Sequence, residues 1–331
     1  MANGKQNLFP GIDLFKLIGA VIVVAIHSHP FENIPLPMWA DFVYKLICNT
    51  AVPFFFIASG FLLGYKSLNE ERIFKKLKSF VWMYVIALLC YFPLDILIGW
   101  ADNPSVGRLF VSYIKRIFII GGTNTSYHLW YVLSVCYSLL LFFIIIWKLV
   151  SPRKRDIVIA IASVMLFLVA IIIDWLLAKE HDIAAFNELS ALVARFTHTG
   201  RVLTGPFYMW IGLLFARKFP SRPSLSFCLL LLIAGVIYQA IGFQLQIPNV
   251  MFYIGVFALA SHIIRLPFET YWCRRASSSI YFVHMVPISI FFYLVLKLPL
   301  GMELFMISML SSVIVSVFWI PFNKNVLSKW K

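Results

Sequence analysis

Ten apolar runs, each about as long as a bilayer is thick, follow one another through the 331-residue chain with short polar breaks between them. They lie at about 10–30, 46–64, 78–99, 128–149, 156–178, 201–218, 225–243, 248–264, 277–297 and 302–322. A helix needs roughly 20 apolar residues to cross the hydrocarbon core, and ten such spans leave no room for a separate soluble domain. Composition agrees: 61% of residues are hydrophobic and 13% charged, against about 45–50% and about 25% in a soluble domain. The expected fold is an all-α polytopic membrane protein, about ten transmembrane helices in a single bundle, with residues 1–331 forming one transmembrane domain. An ordinary soluble enzyme is excluded.

The charge balance is +14, from 28 Lys and Arg against 14 Asp and Glu. In a soluble protein that excess would suggest a nucleic-acid surface, but no basic module or RNA-binding signature accompanies it, so no nucleic-acid partner is expected. Positive charge collects instead in the cytoplasmic connections of membrane proteins. With the N-terminus inside, 19 basic residues fall on the cytoplasmic side, eight on the other, and Lys16 lies within a span. Both termini are therefore expected in the cytoplasm. The longest outer connections, about 30–45, 100–127 and 179–200, carry aromatic and charged residues suited to re-entrant or interfacial segments. The first run follows Lys5 as a signal peptide would, but Asp13 and Lys16 interrupt it and His27-Ser28-His29-Pro30 stands where a small-residue cleavage site belongs. It reads as the first transmembrane helix. The five cysteines, Cys48, Cys90, Cys136, Cys228 and Cys273, form no Cys-x-x-Cys pair and mostly fall in apolar runs. They read as core residues, and no metal site is expected.

An ionisable group inside a span costs roughly 2.5–3.5 kcal/mol on insertion scales, so each one needs a partner or a task. The first span carries Asp13, Lys16 and His27. Lys16 and His27 are eleven residues apart, only about 20° around a helix and about 16 Å along it. Asp13 lies three residues before Lys16, on the same stripe. One face of the helix thus carries a polar track from the cytoplasmic end toward the outer half of the bilayer. Capping and snorkelling at the membrane edge is the plainer account of Asp13 and Lys16. His27 is deeper, and a neutral imidazole there has the lone pair that a general base requires.

Other polar groups are available to such a track. Tyr127 and His128 open the fourth span, within Tyr127-His128-Leu129-Trp130-Tyr131, and Arg201 opens the sixth. Asp174 sits near the outer end of the fifth, and His284 lies in the inner third of the ninth, after Ser279, Ile280 and Tyr281. An aromatic belt accounts for the fourth-span run, snorkelling for Arg201, and a helix-to-helix hydrogen bond for His284, equally well. In the second span Pro53 bends the helix, Gly60 and Gly64 permit close approach, and Ser59 either packs or lines a polar surface. The chain has no Walker A loop, Gly-x-Ser-x-Gly elbow or His-Glu-x-x-His pair. A primary pump, a serine hydrolase and a metalloprotease therefore lack their usual parts, leaving a histidine-centred membrane enzyme or a carrier.

Taken together the chain resembles the acyltransferase-3 family of integral membrane acyltransferases. The resemblance rests on Gly11-Ile12-Asp13-Leu14-Phe15-Lys16 leading to Val24-Ala25-Ile26-His27, on Pro53-Phe54-Phe55-Phe56 with Ser59-Gly60-Phe61, and on His128-Leu129-Trp130-Tyr131. Arg201 and Ser279-Ile280-Tyr281 with His284 complete it. Within the family the chain is similar to the membrane domain of vancomycin-resistance serine racemases, whose racemase domain is not expected here. Lys16 stands where many members have arginine, which keeps the charge and loses the bidentate fork.

The resemblance implies O-acetylation: transfer of an acyl group, most often acetyl from acetyl-CoA, to a hydroxyl of a cell-envelope glycan or similar acceptor. It implies polysaccharide modification at a bacterial cytoplasmic membrane, with acyl-CoA as donor substrate and no bound cofactor. Lys75, Lys76, Lys78 and Arg153 to Arg155 would offer charge to the CoA phosphates. His27 would be general base or acyl carrier, assisted by Lys16 and Asp13, with Lys16, Arg201 or His128 at the oxyanion. Ser59, His128, Tyr131, Arg201, Tyr281 and His284 would bind donor or acceptor. The serine-uptake association of the related branch supports a second class, a carrier for a small polar solute such as serine, in which His27 and Asp13 would move protons or bind substrate.

Overall fold

The computed structural model describes residues 9–65, 68–99, 113–123, 125–145, 150–151, 153–178, 184–197, 199–218, 223–241, 249–263, 266 and 270–327. Among them every regular element is a helix, the outcome expected where lipid offers the backbone no partner. The chain groups into two compact units. The first comprises Met1–Phe55, Ser221–Gly242 and Asn249–Lys331; the second comprises Phe56–Pro220 and Phe243–Pro248.

The first unit is built on α1 (Pro10–Ser28), the opening half of α2 (Met38–Gly64), α8 (Leu225–Ala240), α9 (Val250–His262), α10 (Tyr271–Val283), the short α11 (Met285–Ser289) and α12 (Met302–Leu327). Pro10 opens α1, where its missing N–H is no loss. The helix ends at His29, whose left-handed backbone closes a bond from its N–H to the Ala25 carbonyl. α1 packs most extensively on α10, then on α12 and α9. α8 and α9 form a tight pair, tied by Asn249: its Oδ1 accepts from Phe252 N at 3.2 Å, capping α9, while its Nδ2 donates to the Gly235 carbonyl at 2.7 Å.

The second unit holds the end of α2, α3 (Glu70–Gly99), α4 (Trp130–Ile144), α5 (Arg155–Ala178), α6 (Ala184–Ala194) and α7 (Gly205–Lys218). A π-helical turn at Arg116–Ile120 and 3₁₀ turns at Tyr127–Leu129 and Arg201–Thr204 join them. α3 packs on α4, and α7 lies against α4 and α5. Long apolar side chains along α3 and α5, including Trp82, Leu89, Ile157 and Ile161, are exposed and form lipid-facing surface.

Each of the ten expected spans contains a helix, and the boundaries shift for physical reasons. α2 begins at Met38 rather than 46, and α3 at Glu70 rather than 78. Hydropathy registers only the apolar part of a helix, whereas hydrogen bonding carries α3 through Arg72, Lys75, Lys76 and Lys78 from a cap in which Asn69 Oδ1 accepts from Arg72 N. The expected outer connection 30–45 is thereby reduced to residues 29–37, and the connection 179–200 contains α6. Much of 100–127, the tail of the fourth span and the residues around 243–248 lie outside the described residues.

Among the described residues six helical stretches are long and apolar enough to cross a bilayer: Pro10–Ser28, Met38–Gly64, Glu70–Ile98, Tyr127–Ile144, Arg155–Ala178 and Tyr271–Val295. α8 and α9, with 16 and 13 residues, reach about 20–24 Å at 1.5 Å per residue and fall short of a typical core by themselves.

The close approach expected of Gly60 and Gly64 is present, with Gly212 as the facing residue. A Cβ on Gly60 would overlap the Met209 carbonyl, and one on Gly212 would overlap the Ile57 carbonyl, so α2 and α7 meet backbone to backbone. Gly60→Val is expected to destabilise the protein by about 1–3 kcal/mol through overpacking. A melting curve of the detergent-purified variant that matches wild type would refute this contact.

Candidate functional site

In the first unit, two pairs set α1 against α10. Asp13 is buried, with only 3% of its surface accessible. Its carboxylate takes a two-pronged bond from Arg274, Nε to Oδ1 at 2.9 Å and Nη2 to Oδ2 at 2.8 Å. This planar fork-to-fork geometry is available to arginine and not to lysine. Fourteen residues along α1, the His27 ring stacks on the His284 ring at 5.3 Å between centroids and 18° between planes. Both pairs advance together along the two helices, so α1 and α10 run parallel.

His284 sits at a break between α10 and α11. Pro287, four residues beyond Val283, lacks an N–H and its ring crowds the Val283 carbonyl, which interrupts the helix there. The imidazole is fully buried, and its Nδ1 lies 3.1 Å from the Ile280 carbonyl and 2.8 Å from that of Tyr281. Carbonyl oxygens only accept, so Nδ1 carries the hydrogen and the lone pair of the neutral ring is on Nε2. His27 is half-buried by contrast, so the more accessible imidazole of the pair is the one on α1. Tyr281 extends the cluster, its ring 6.2 Å from that of His284 and 6.2 Å from that of Phe55. Lys16 is half-buried one turn beyond Asp13.

The second unit contains the remaining expected site residues in three local groups. Ser59 Oγ and Tyr131 Oη share a hydrogen bond of 3.0 Å, with the Tyr131 ring against Phe56 at 4.6 Å. The Arg201 guanidinium lies over the Trp130 ring at 5.0 Å, a cation–π contact. His128 is buried with its ring 5.4 Å from that of Tyr91.

Two carboxylates hold the irregular backbone on which these residues sit. Asp174 Oδ1 accepts from Gly200 N at 2.7 Å and Thr199 Oγ1 at 2.9 Å, fixing the turn that opens at Arg201. Asp95, buried on α3, accepts from Thr123 Oγ1 at 2.5 Å and Tyr113 Oη at 3.3 Å on one oxygen. Its other oxygen accepts from Thr125 N at 3.1 Å and Thr125 Oγ1 at 2.7 Å. Burial, and then the Asp95 carboxylate, hold the Tyr113 phenol above its ordinary pKa, so it keeps the proton it donates. Four donors satisfy the buried charge and anchor the segment leading into His128.

Asp95 and Arg274 are not among the residues that the sequence singles out. Asp95 carries the same signal as Asp13, an acid inside an apolar run, in Tyr91-Phe92-Pro93-Leu94-Asp95. Arg274 falls within the cytoplasmic charge count, and only the packing of α10 on α1 distinguishes it from its neighbour Arg275.

A chain whose regular elements among the described residues are all helices, six stretches of them able to cross a bilayer, with ionisable groups on buried faces, is a multi-pass membrane protein. It belongs to the acyltransferase-3 family, whose acyltransferase-domain model matches residues 9–320. Among curated proteins it is similar to an amino-acid racemase of Enterococcus faecalis, 28% identical over 244 residues, covering 70% of this chain and 33% of the relative. It is also similar to a serine/alanine racemase of Enterococcus gallinarum, 31% identical over 133 residues, covering 37% of this chain and 17% of the relative. The chain thus spans a third or less of the length of these relatives. No solved structure matches it.

Arg274→Ala leaves the Asp13 carboxylate buried without its fork and is expected to cost about 1.5–3 kcal/mol in chemical unfolding. Asp13→Ala in the same chain removes the stranded charge, so the double variant should lose less than the sum of the two single losses. Strict additivity would dissolve the pair. Asp95→Ala is expected to speed amide hydrogen exchange in residues 113–129 at least tenfold, from the loss of bonds worth about 1.5–3 kcal/mol to a charged group. Unchanged protection of that segment would count against the anchor.

Proposed function

We propose that the protein is an integral membrane O-acyltransferase that moves an acyl group, acetyl by first preference, from cytoplasmic acyl-CoA to a hydroxyl of a cell-envelope glycan or related acceptor. The observation that carries this reading is the half-buried His27 stacked on a buried, backbone-held His284, in a chain of an acyltransferase family. On this reading the membrane is a bacterial cytoplasmic membrane, with both termini inside.

In the proposed reaction, His27 takes the proton of the acceptor hydroxyl as that oxygen bonds to the thioester carbonyl carbon. The tetrahedral adduct carries an oxyanion that a hydrogen-bond donor or cation must stabilise, and Lys16, about 16 Å along α1 from His27, lies beyond side-chain reach of it. Collapse of the adduct breaks the carbon–sulfur bond. The departing CoA thiolate takes the proton from His27, giving an ester and free CoA and restoring the neutral base. His284 touches His27 by stacking, and its own Nδ1 is anchored to the backbone, so it serves to hold the plane of the His27 ring. Asp13 acts through the Arg274 fork as a positioning residue for α1. Ser59, His128, Tyr131 and Arg201 in the second unit, with Tyr281 in the first, are assigned to binding donor or acceptor.

A second reading, a carrier for a serine-like solute, rests on the resemblance to the membrane domain of serine racemases and on the ionisable His27 and Asp13 within one span. Proteoliposomes separate the two: a carrier takes up labelled serine without acyl-CoA, and a transferase does not.

His27→Ala is expected to lower acyl transfer from labelled acetyl-CoA to isolated envelope material by about 10²–10⁴-fold, while the protein elutes at its normal size. Mass spectrometry of envelope glycans from cells with and without the gene should show one acyl group lost. A His27→Ala protein that transfers at the wild-type rate would remove the general-base assignment.

A further inference from the structure

At the end of α1 just beyond His27, the first unit has two adjoining cavities that no residue of the proposed chemistry lines. One, of about 590 Å³, is bounded by Glu32, Asn33, Phe292, Tyr293 and Lys297. The other, of about 580 Å³, is bounded by His29, Phe31, Glu32, Asp41 and Tyr44. Both are open to the surface, and Glu32 lies on the border between them, so they form the two lobes of a shallow surface depression.

The walls are built rather than loose. Gly301 N donates to the Ser28 carbonyl at 2.9 Å, and Asn33 Nδ2 donates to the Leu300 carbonyl at 3.1 Å, so the 29–37 and 296–301 connections are stitched to each other and to the last turn of α1. Glu32 N donates to the His29 carbonyl at 3.0 Å, and Leu298 N to that of Phe291 at 3.1 Å. Among the described residues, two non-glycine residues have positive φ, His29 and Lys297, both at 48°, and one lines each lobe. The helix above the first lobe widens into π geometry at Ile290–Val295. Left-handed backbone at bulky residues and π-helical turns both cost energy, and both recur at binding sites.

The lining also specifies a chemistry. The Tyr293 ring is 49% exposed and braced edge-on by Phe292 at 4.7 Å; in the other lobe Phe31 braces Tyr44 in the same way at 5.2 Å. Beside these rings lie acceptors and donors in close alternation: the Glu32 carboxylate, the Asn33 amide and the Lys297 ammonium. Asp41 in the second lobe is paired with Lys45 at 2.7 Å. Glu32 is paired with His29 at 3.4 Å, so the lining offers two acid–base pairs, the Asn33 amide and the Lys297 ammonium beside exposed aromatic rings. A sugar has C–H faces for an aromatic ring and hydroxyls that both donate and accept, and it satisfies both halves of the lining.

We propose that this two-lobed cleft is the acceptor site, binding a glycan whose reacting hydroxyl is presented to His27 from the end of α1. The assignment rests on the acyltransferase reading for the identity of the acceptor, and on cleft geometry for its place. Cleft residues begin two positions beyond His27, about 3 Å of helix rise away.

Photo-crosslinking in living cells tests it, because the cell itself supplies the acceptor. Benzoylphenylalanine introduced at Tyr293, and separately at Glu32, should yield after irradiation a protein carrying hexose- or hexosamine-containing mass. The same group at Ile161, on the lipid-facing surface of α5, should not. In transfer assays, Tyr293→Ala should raise the acceptor KM about tenfold, the size expected for an aromatic stacking contact of up to about 1.5 kcal/mol, without raising the KM for acetyl-CoA. Adducts of phospholipid alone, or no adduct at 293 and 32, would overturn the site. Glycan adducts in cells whose envelope shows no acyl group dependent on the gene would uphold the site and overturn the transferase reading. Tyr293 and Glu32 are both well exposed, so their replacement is not expected to unfold the protein, and a melting curve checks this.

Discussion

A carboxylate inside a membrane helix must find donors for its charge, and in this protein the arginine found by Asp13 sets α1 against α10. The Arg274 fork fixes both the rotation of α1 and its height against α10. Four turns further along, the same rotation brings the His27 ring flat against His284. A parallel pair of helices fixed at two points, one ionic and one aromatic, has little freedom to slide. The orientation of the His27 ring, on which the proposed acid–base chemistry depends, is thereby tied to a contact about 21 Å away along the helix.

The second unit applies the same physics to irregular backbone. Non-helical segments leave N–H groups without an intrahelical partner, and buried ones must find another acceptor. Asp95 and Asp174 accept from those amides and from neighbouring hydroxyls, so the segments entering His128 and Arg201 are held in place. In each unit an acidic side chain organises its surroundings and so positions the histidines and cations to which binding and catalysis are assigned. With only 14 Asp and Glu in 331 residues, a buried acid in this chain is a specific structural element rather than incidental charge.

The spans themselves were legible because hydrophobic length against bilayer thickness is a one-dimensional property. Helix ends were less so. α2 and α3 extend past the last apolar residue into charged sequence, since backbone hydrogen bonding continues wherever water or headgroups receive the side chains. Asp13, Lys16 and His27 could be placed on one stripe by helical periodicity alone. Their partners could not, because Arg274 and His284 come some 260 residues later and only packing brings them back.

The sequence by itself determined that the chain is a multi-pass helical membrane protein, which few polar residues interrupt its spans, and which of them share a face of α1. Each follows from local chemistry: transfer free energy, a 100° step per residue and the cost of an intramembrane charge. Tertiary structure alone decided that Asp13 pairs with Arg274, that a proline break turns His284 onto His27 with its proton held on Nδ1, and that two distant connections close a cleft above them. Those outcomes depend on which helices become neighbours, and that is decided by the whole set of packing interactions at once.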